Sequence, residues 1–249
     1  MIAVEDTRHS GRLMQVLGIT TPMLSYHEHN EAGRAELLLQ KLGSNQDVAL
    51  ISDAGTPLIS DPGYSLVKKV HEQGYKVVPV PGPCAVIAAL CSAGLPTDRF
   101  VFEGFLPAKA AARRSRLQEL QTEVRTLVFY EAPHRIEECL LDMVMVLGGA
   151  RNATLARELT KTFETIIPST LSQLLEIIKS DENQRKGEIV IVVEGGSHAQ
   201  DHSGADAEKT LKILLEELPV KQAATLAARI TGAKKNWLYD LALSWQNKK

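Results

Sequence analysis

Between Val48 and Gly63 an apolar run, Val48-Ala-Leu-Ile51, breaks at once into a polar loop, Ser52-Asp-Ala-Gly-Thr-Pro-Leu-Ile-Ser-Asp-Pro-Gly63. A helical pattern follows from Tyr64 to Gln73. A strand, a stiff loop and a helix in that order admit few architectures. In open α/β sheets, ligands sit outside the carboxyl ends of the strands, on loops of this kind. Gly55 lets backbone approach a ligand closely, and Pro57 and Pro62 restrict the loop's conformations. A single loop of this kind is as often an ordinary connection as a binding site. Similar junctions recur along this chain, and the recurrence favours a site.

The recurrence also sets the fold class. Short apolar strands are expected at Ile2–Val4, Met23–Tyr26, Val48–Ile51 and Tyr75–Val80. Helical patterns separate or follow them at Ser10–Leu17, Ala32–Leu42, Ser65–Glu72 and Cys84–Ala93. Strands alternating with helices over short connections predict a parallel or mostly parallel sheet. The composition shifts near Leu95-Pro-Thr-Asp-Arg-Phe100, and a second set follows. Its strands are expected at Phe100–Glu103, Thr126–Tyr130, Ala153–Ala156 and Glu188–Val193, with an edge strand at Thr165–Pro168. Its helices are expected at Ser115–Glu123, Ile136–Leu147 and Leu171–Ser180. We therefore expect two α/β domains, residues 1–105 and 106–196, a polar linker at 197–204, and a helical region at 205–249. In that last region Val220–Ile230 and Lys235–Trp245, joined around Gly232, resemble a helix-turn-helix.

Composition narrows the function. The 249 residues suffice for one large or two modest domains with real cores. The formal net charge is -2, so contact with nucleic acid would use local basic patches. No apolar run approaches the roughly 20 residues that span a bilayer, and no signal peptide is visible. The three cysteines, Cys84, Cys91 and Cys139, form no paired motif, which fits a reducing cytoplasm. The chain has no phosphate loop, no dinucleotide fingerprint, no zincin motif and no nucleophile elbow. His27 and His29 lack metal-ligand spacing, so no metal is expected.

Five strand ends carry unusual chemistry: Glu5-Asp-Thr-Arg-His9, Ser52-Asp-Ala-Gly-Thr-Pro57, Pro79-Val-Pro-Gly-Pro-Cys-Ala85, Tyr130-Glu-Ala-Pro-His-Arg135 and Ala156-Arg-Glu-Leu-Thr-Lys161. In a parallel sheet several such ends can converge on one cleft. Pro83 suits a helix start, and Cys84, Ala85, Ala88 and Ala89 keep that start narrow enough for a flat ligand. The ordinary alternative for Cys84 is a small packing residue.

These motifs, with Gly94-Leu-Pro-Thr-Asp-Arg-Phe100, Glu103-Gly-Phe-Leu-Pro107 and Lys186-Gly-Glu-Ile-Val-Ile-Val-Val-Glu-Gly195, carry a resemblance that covers nearly the whole chain. They closely resemble the small-subunit ribosomal RNA methyltransferases of the tetrapyrrole-methylase-like superfamily of S-adenosylmethionine enzymes. The resemblance implies two α/β domains of the class III methyltransferase type, with S-adenosyl-L-methionine in the cleft between them. It implies a cytoplasmic homodimer that methylates the ribose 2′-oxygen of a decoding-region cytidine in 16S rRNA of the small ribosomal subunit. Carried over by position, Asp53, Gly55, Thr56, Cys84, Ala85 and Tyr130 are expected at the donor. The family has one more strand, a Pro- and Gly-containing loop and a helix before the position of Ile2. An N-terminal strand is therefore expected to be missing here, with lower stability and weaker donor binding.

Methyl transfer from a sulfonium is an in-line displacement in which alignment does most of the work. A 2′-hydroxyl is a weak nucleophile, and a general base can assist it. Asp6, Glu131 and Lys161 are the candidates, each with a salt bridge or helix cap as the ordinary alternative. Arg8, Arg135 and Arg157 are expected to hold RNA phosphates, because a guanidinium matches their geometry. The basic run Lys109 to Arg116, with Arg113, Arg114 and Arg116, is expected to be a mobile loop or helix start on RNA. Lys234 and Lys235, with Lys221 and Arg229, are expected to contact RNA from the helical tail, although a charge run is as often a solvated face. Two other readings stay open: a methyltransferase acting on a tetrapyrrole, and a non-catalytic RNA-binding fragment.

Overall fold

The computed structural model describes residues 1–27, 30–196 and 202–246. His29 and residues 197–201 of the expected linker lie outside the described residues. The chain divides into two compact units, Met1–Gly195 and Gly196–Lys249.

The first unit opens with a three-stranded parallel sheet. Its strands are β1 (Ile2–Val4), β2 (Met23–Ser25) and β3 (Ala49–Ile51), in the order β2-β1-β3. Helices α1 (Thr7–Val16), α2 (Glu31–Gly43) and α3 (Tyr64–Glu72) accompany it. Ala3 and Tyr26 share a core with Leu38, Leu39, Leu66 and Val70, while Ile2 and Val4 meet Met14 on the other face. Both faces of β1 are thus covered, which is why a three-residue strand can be wholly apolar.

The expected strand Tyr75–Val80 does not form. Its residues pair with no strand, and Val80 is 87% exposed. A strand exists only through its ladder partner, and β3 pairs with β1 alone.

The second sheet has five strands: β4 (Phe100–Phe105), β5 (Thr126–Glu131), β6 (Asn152–Arg157), β7 (Thr165–Thr170) and β8 (Ile189–Val193). Their order is β4-β5-β8-β6-β7. Only β4 and β5 run parallel; β8 is antiparallel to both its neighbours, as β7 is to β6. The expectation of a mostly parallel arrangement therefore holds in the first sheet and not in the second. The sheet begins at Phe100, so residues 100–105, grouped with the first half by sequence, pair within the second.

One face of this sheet packs on α6 (Ile136–Leu147) and α7 (Leu171–Ser180) through Leu127, Phe129, Ile191 and Val193. The opposite face, through Val128, Val190 and Val192, packs on α4 (Ala85–Ser92). Alternate residues of β5 and β8 therefore bury on alternate faces, which accounts for the unbroken run Ile189-Val-Ile-Val-Val193. Thr154 Oγ1 also donates to Ala93 O at the end of α4, at 2.8 Å.

Helix α5 (Ala110–Glu119) absorbs the basic run. It starts five residues before the expected Ser115, so the run is helical and not a loop.

The second unit comprises α8 (His202–Glu217), α9 (Val220–Thr231) and α10 (Lys235–Gln246). Ala207, Leu211, Ala223, Ala224, Ala227, Leu238 and Ala242 form its core. Gly232, at φ 73°, ends α9 in the left-handed conformation that glycine adopts most readily. The turn between α9 and α10 is three residues long.

Candidate active site

The loop after β3 carries strained backbone. Gly55, Leu58, Ser60 and Gly63 all have positive φ, and two of these are not glycine. At Leu58 and Ser60 such conformations cost about 1–3 kcal/mol each, and they cluster at functional sites. The surroundings hold them. A Cβ at Gly63 would lie 2.8 Å from Leu50 Cδ2, and the Gly63 N–H donates to Glu31 Oε1 at 2.9 Å. Glu31 Oε2 also accepts from the Ser65 hydroxyl at 2.8 Å, so a carboxylate on α2 caps the start of α3.

Two contacts fix this loop on its neighbours. Thr56 Oγ1 donates to Pro83 O at 2.7 Å, which ties the loop to the turn that opens α4. On β4, a bulge between Phe102 and Gly104 and the positive φ of Gly104 let that strand approach closely. A Cβ at Gly104 would lie 3.3 Å from Ser60 Oγ.

The result is a cleft of about 430 Å³. One wall is Asp53, Ala54, Gly55, Thr56, Ile59, Ser60 and Asp61, with Glu5 at the end of β1. The other is Ala85, Phe105, Tyr130, Glu131, Ala132, Pro133 and Gly187 to Val190. The structure thus brings together Asp53, Gly55, Thr56, Ala85 and Tyr130 as expected from sequence. Cys84 stands just behind the lining and packs with Ala85 and Tyr130. Tyr130 is edge-on to Phe102 at 4.9 Å and to Phe105 at 5.7 Å. Burial pushes its hydroxyl up to about 12, so it stays protonated and can donate a hydrogen bond.

The lining is acidic. Glu5, Asp53, Asp61, Glu131 and Glu188 line the cleft, and among the described residues no Lys, Arg or His does. Asp53 Oδ1 is buried without a hydrogen-bond partner. Burial raises the Asp61 carboxyl above its ordinary value, Asp53 and Glu188 add to the rise, and the Ser52 hydroxyl pulls the other way. Such a surface suits a compact organic cation with its own hydrogen-bond donors, and repels phosphate. Sequence reasoning missed Asp61 and Glu188 as lining residues, although both stand inside quoted motifs. Among the described residues no group of three or more His, Cys, Asp or Glu could hold a metal ion.

The three expected bases each have a partner within the fold, although Glu131 also lines the cleft. Asp6 caps α1 by accepting from Arg8 N at 2.8 Å and pairs with the Arg8 guanidinium, which holds its carboxyl well below the usual range. Asp6 does not line the cleft. The Glu131 carboxylate is buried and accepts from Ala132 N at 2.7 Å, beside Arg135 Nε at 3.2 Å. Lys161 bridges Glu158 at 2.9 Å and Glu188 at 3.1 Å. In all three cases the ordinary alternative is what forms.

Several expected phosphate ligands are corrected. Arg113 is 1% exposed; its Nε donates to Asp142 Oδ2 at 2.6 Å, and Arg114 meets the other oxygen of Asp142 at 3.3 Å. Arg157 is 7% exposed and spends its guanidinium on Gln184, Lys186 O, Phe163 O and Thr165. Arg135 donates to Leu106 O at 2.6 Å. Arg116 grips Glu103 with two bonds of 2.9 Å and also reaches Glu119. Arg8 is exposed but bound to Asp6. Lys234 and Lys235 are exposed and make no ion pair among the described residues.

Comparison with known proteins agrees with this geometry. A sequence model of tetrapyrrole (corrin/porphyrin) methylases matches residues 2–175, and one of the RsmI C-terminal HTH domain matches residues 201–246. A ribosomal RNA small subunit methyltransferase I from Pseudomonas aeruginosa is 58% identical over 250 residues, covering 100% of this chain and 89% of the relative. One from Vibrio cholerae is 54% identical, covering 98% and 85%. Among solved structures, the methyltransferase CobJ matches with a TM-score of 0.54 at 17% identity, over 78% of this chain and 93% of that one. Diphthine synthase matches with a TM-score of 0.54 at 12% identity, over 78% of each chain. At such identities these two matches speak for the fold alone.

Proposed function

Because this chain belongs to the tetrapyrrole (corrin/porphyrin) methylase family, we propose that its acidic cleft holds a methyl donor and delivers the methyl group to small-subunit ribosomal RNA. The chain is a methyltransferase and its donor is S-adenosyl-L-methionine, which supplies an electrophilic methyl on a sulfonium. The acceptor is the ribose 2′-oxygen of a decoding-region cytidine in 16S rRNA, and the working form is a cytoplasmic homodimer.

The observation that carries the reading is the lining itself. The donor is a cation with an amino group and a nucleoside. The cleft offers carboxylates, one of them with an unpartnered buried oxygen at Asp53, and bare backbone at Gly55. The small Ala85 leaves room for a flat ring, and the protonated Tyr130 hydroxyl is a fixed donor. Asp53 and Asp61 hold the cationic end. Thr56 keeps the loop closed on the Pro83 turn.

Positioning accounts for most of the rate, since bringing a bound methyl and hydroxyl into line can offset several kcal/mol of barrier, on the order of 7–11 at best. Asp6, Glu131 and Lys161 each have a partner within the fold, so alignment of methyl and hydroxyl carries the step. Exclusion of cations from the lining keeps RNA phosphates out of the donor site and leaves them to the surface.

The match at residues 201–246 and the names of the relatives favour RNA over a tetrapyrrole as acceptor. The test is incubation with labelled S-adenosylmethionine and unmodified small subunits. Label at a cytidine 2′-oxygen is expected. Label found only in a porphyrinoid, or subunit binding without label, would overturn the reading.

A further inference from the structure

The stretch from Val220 to Tyr239 holds four Lys or Arg and no Asp or Glu, in a chain whose formal net charge is -2. It covers α9, the turn at Gly232 and the first half of α10. Among the described residues, none of Lys221, Arg229, Lys234 and Lys235 is in an ion pair. This is unlike α5, whose Arg113, Arg114 and Arg116 all have carboxylate partners.

The start of α10 adds a second feature. Leu238 N donates to Lys234 O at 3.2 Å, so the helical turn begins at Lys234. Leu238 and Ala242 face the core. Trp237 and Tyr239 do not: they are 40% and 37% exposed. Residues three or four apart neighbour one another on a helix, so Lys234 and Asp240 lie on either side of Trp237 along the helix, and Lys235 lies beside Tyr239. Each exposed ring thus has a cation one turn before it. The other tryptophan, Trp245, is used differently. Its ring packs with the core of the unit and lies 5.0 Å below Lys212 Nζ.

We propose that the start of α10 is a stacking site for unpaired RNA bases, with Trp237 as the ring and Lys234 and Lys235 on the flanking phosphates. This deepens the RNA-directed reading above and rests on it. Aromatic faces take bases whatever their identity, and lysines supply charge without a fixed geometry. The site therefore recognises single-stranded RNA without reading its sequence. It leaves the choice of nucleotide to the cleft.

The two tryptophans make the test direct. In the full chain, Trp245→Phe leaves Trp237 as the only indole. Its fluorescence is followed on adding a 12-nucleotide cytidine oligoribonucleotide, duplex DNA of the same length, or heparin, a polyanion without bases. Quenching by the oligoribonucleotide and not by heparin is expected. Trp237→Ala should weaken oligoribonucleotide binding about tenfold, and Trp237→Phe by much less, with the salt dependence unchanged. Lys234→Ala with Lys235→Ala should instead reduce the salt slope by about 1.4.

Equal affinity of Trp237→Ala and the parent chain, equal quenching by heparin, or tighter binding of duplex DNA would each overturn the proposal. Methyl transfer to small subunits, measured on the same parent chain, separates the two levels. A parent that methylates subunits while Trp237→Ala binds normally refutes the stacking site alone. A parent that fails to methylate refutes the reading beneath it.

Discussion

The two sheets of the first unit make opposite uses of the same chain chemistry. The five-stranded sheet buries alternate residues of β5 and β8 on both faces, and pins α5 to α6 through the Arg113–Asp142 pair. The three-stranded sheet has strands of three residues, an edge at β3, and a strained loop beyond it. The cleft takes one wall from each. Its Tyr130 wall comes from a sheet with little freedom to move. Its Asp53–Asp61 wall stands on a thin sheet and is held by a few named bonds, Thr56 to Pro83 and Gly63 to Glu31 among them. The cleft thus has one wall on a deeply buried sheet and one on a thin, lightly tied sheet, the kind of element that opens at lower cost.

That contrast can be broken in order of expected effect. Asp142→Ala leaves the buried Arg113 guanidinium with only the exposed Glu138, at 3.5 Å, as a carboxylate partner, and should cost about 3–5 kcal/mol in chemical denaturation. A loss under 1 kcal/mol would mean that the half built on the five-stranded sheet is not the rigid one. Paired truncations come next. Leu127→Ala, at a fully buried position of β5, should cost about 2–5 kcal/mol. Leu50→Ala, in the half-buried β3, should cost under about 2 kcal/mol by the same denaturation measurement. Equal losses would erase the distinction between the sheets.

Asp61 gives a pH test. Its folded carboxyl holds a proton more tightly than an unfolded one, so the fold is favoured at low pH. That contribution is lost as pH rises through the ordinary carboxylate value toward the raised one. Asp61→Asn should therefore raise the melting temperature slightly at neutral pH. It should also weaken S-adenosylmethionine binding roughly tenfold by calorimetry, about 1.4 kcal/mol. The affinity of the parent should fall as pH drops through the raised Asp61 range, above the usual value near 4. A pH-independent affinity would remove Asp61 from the site. The smallest effect is expected at Lys161→Met, which frees Glu188 at the rim. Exposed pairs are worth roughly 0–1 kcal/mol, so stability should hardly change while the donor KM falls slightly, since one more free carboxylate faces the cationic donor.

Much of this was legible before any coordinates. The strand-loop-helix at Val48 to Gln73, the run at Ile189 and the Pro-Gly-Pro turn each carry a local signal, because turn chemistry and periodicity are properties of neighbouring residues. Asp53, Gly55, Thr56, Ala85 and Tyr130 stand in such motifs, and all five line the cleft. Tyr75–Val80 shows where local signals fail: its valines suit a strand, but pairing requires a partner from elsewhere in the chain.

The basic run on α5 makes the same point for charge. Arg113, Arg114 and Arg116 look alike in sequence, and none is free, because α6 and β4 bring Asp142 and Glu103 to them. Lys234 and Lys235 look no more basic and remain exposed. The acids that would answer them are absent from Val220 to Tyr239.

The order of elements, the polar junctions and the helix-turn-helix tail were thus determined by sequence alone, since they rest on backbone preference and on residues a few positions apart. Tertiary structure alone decided which carboxylates face the cleft, which arginines are buried, and that β8 runs against its neighbours. Those outcomes depend on what residues distant in the chain bring within a few ångströms. A charge becomes a ligand, a cap or a core ion pair only when its partner arrives.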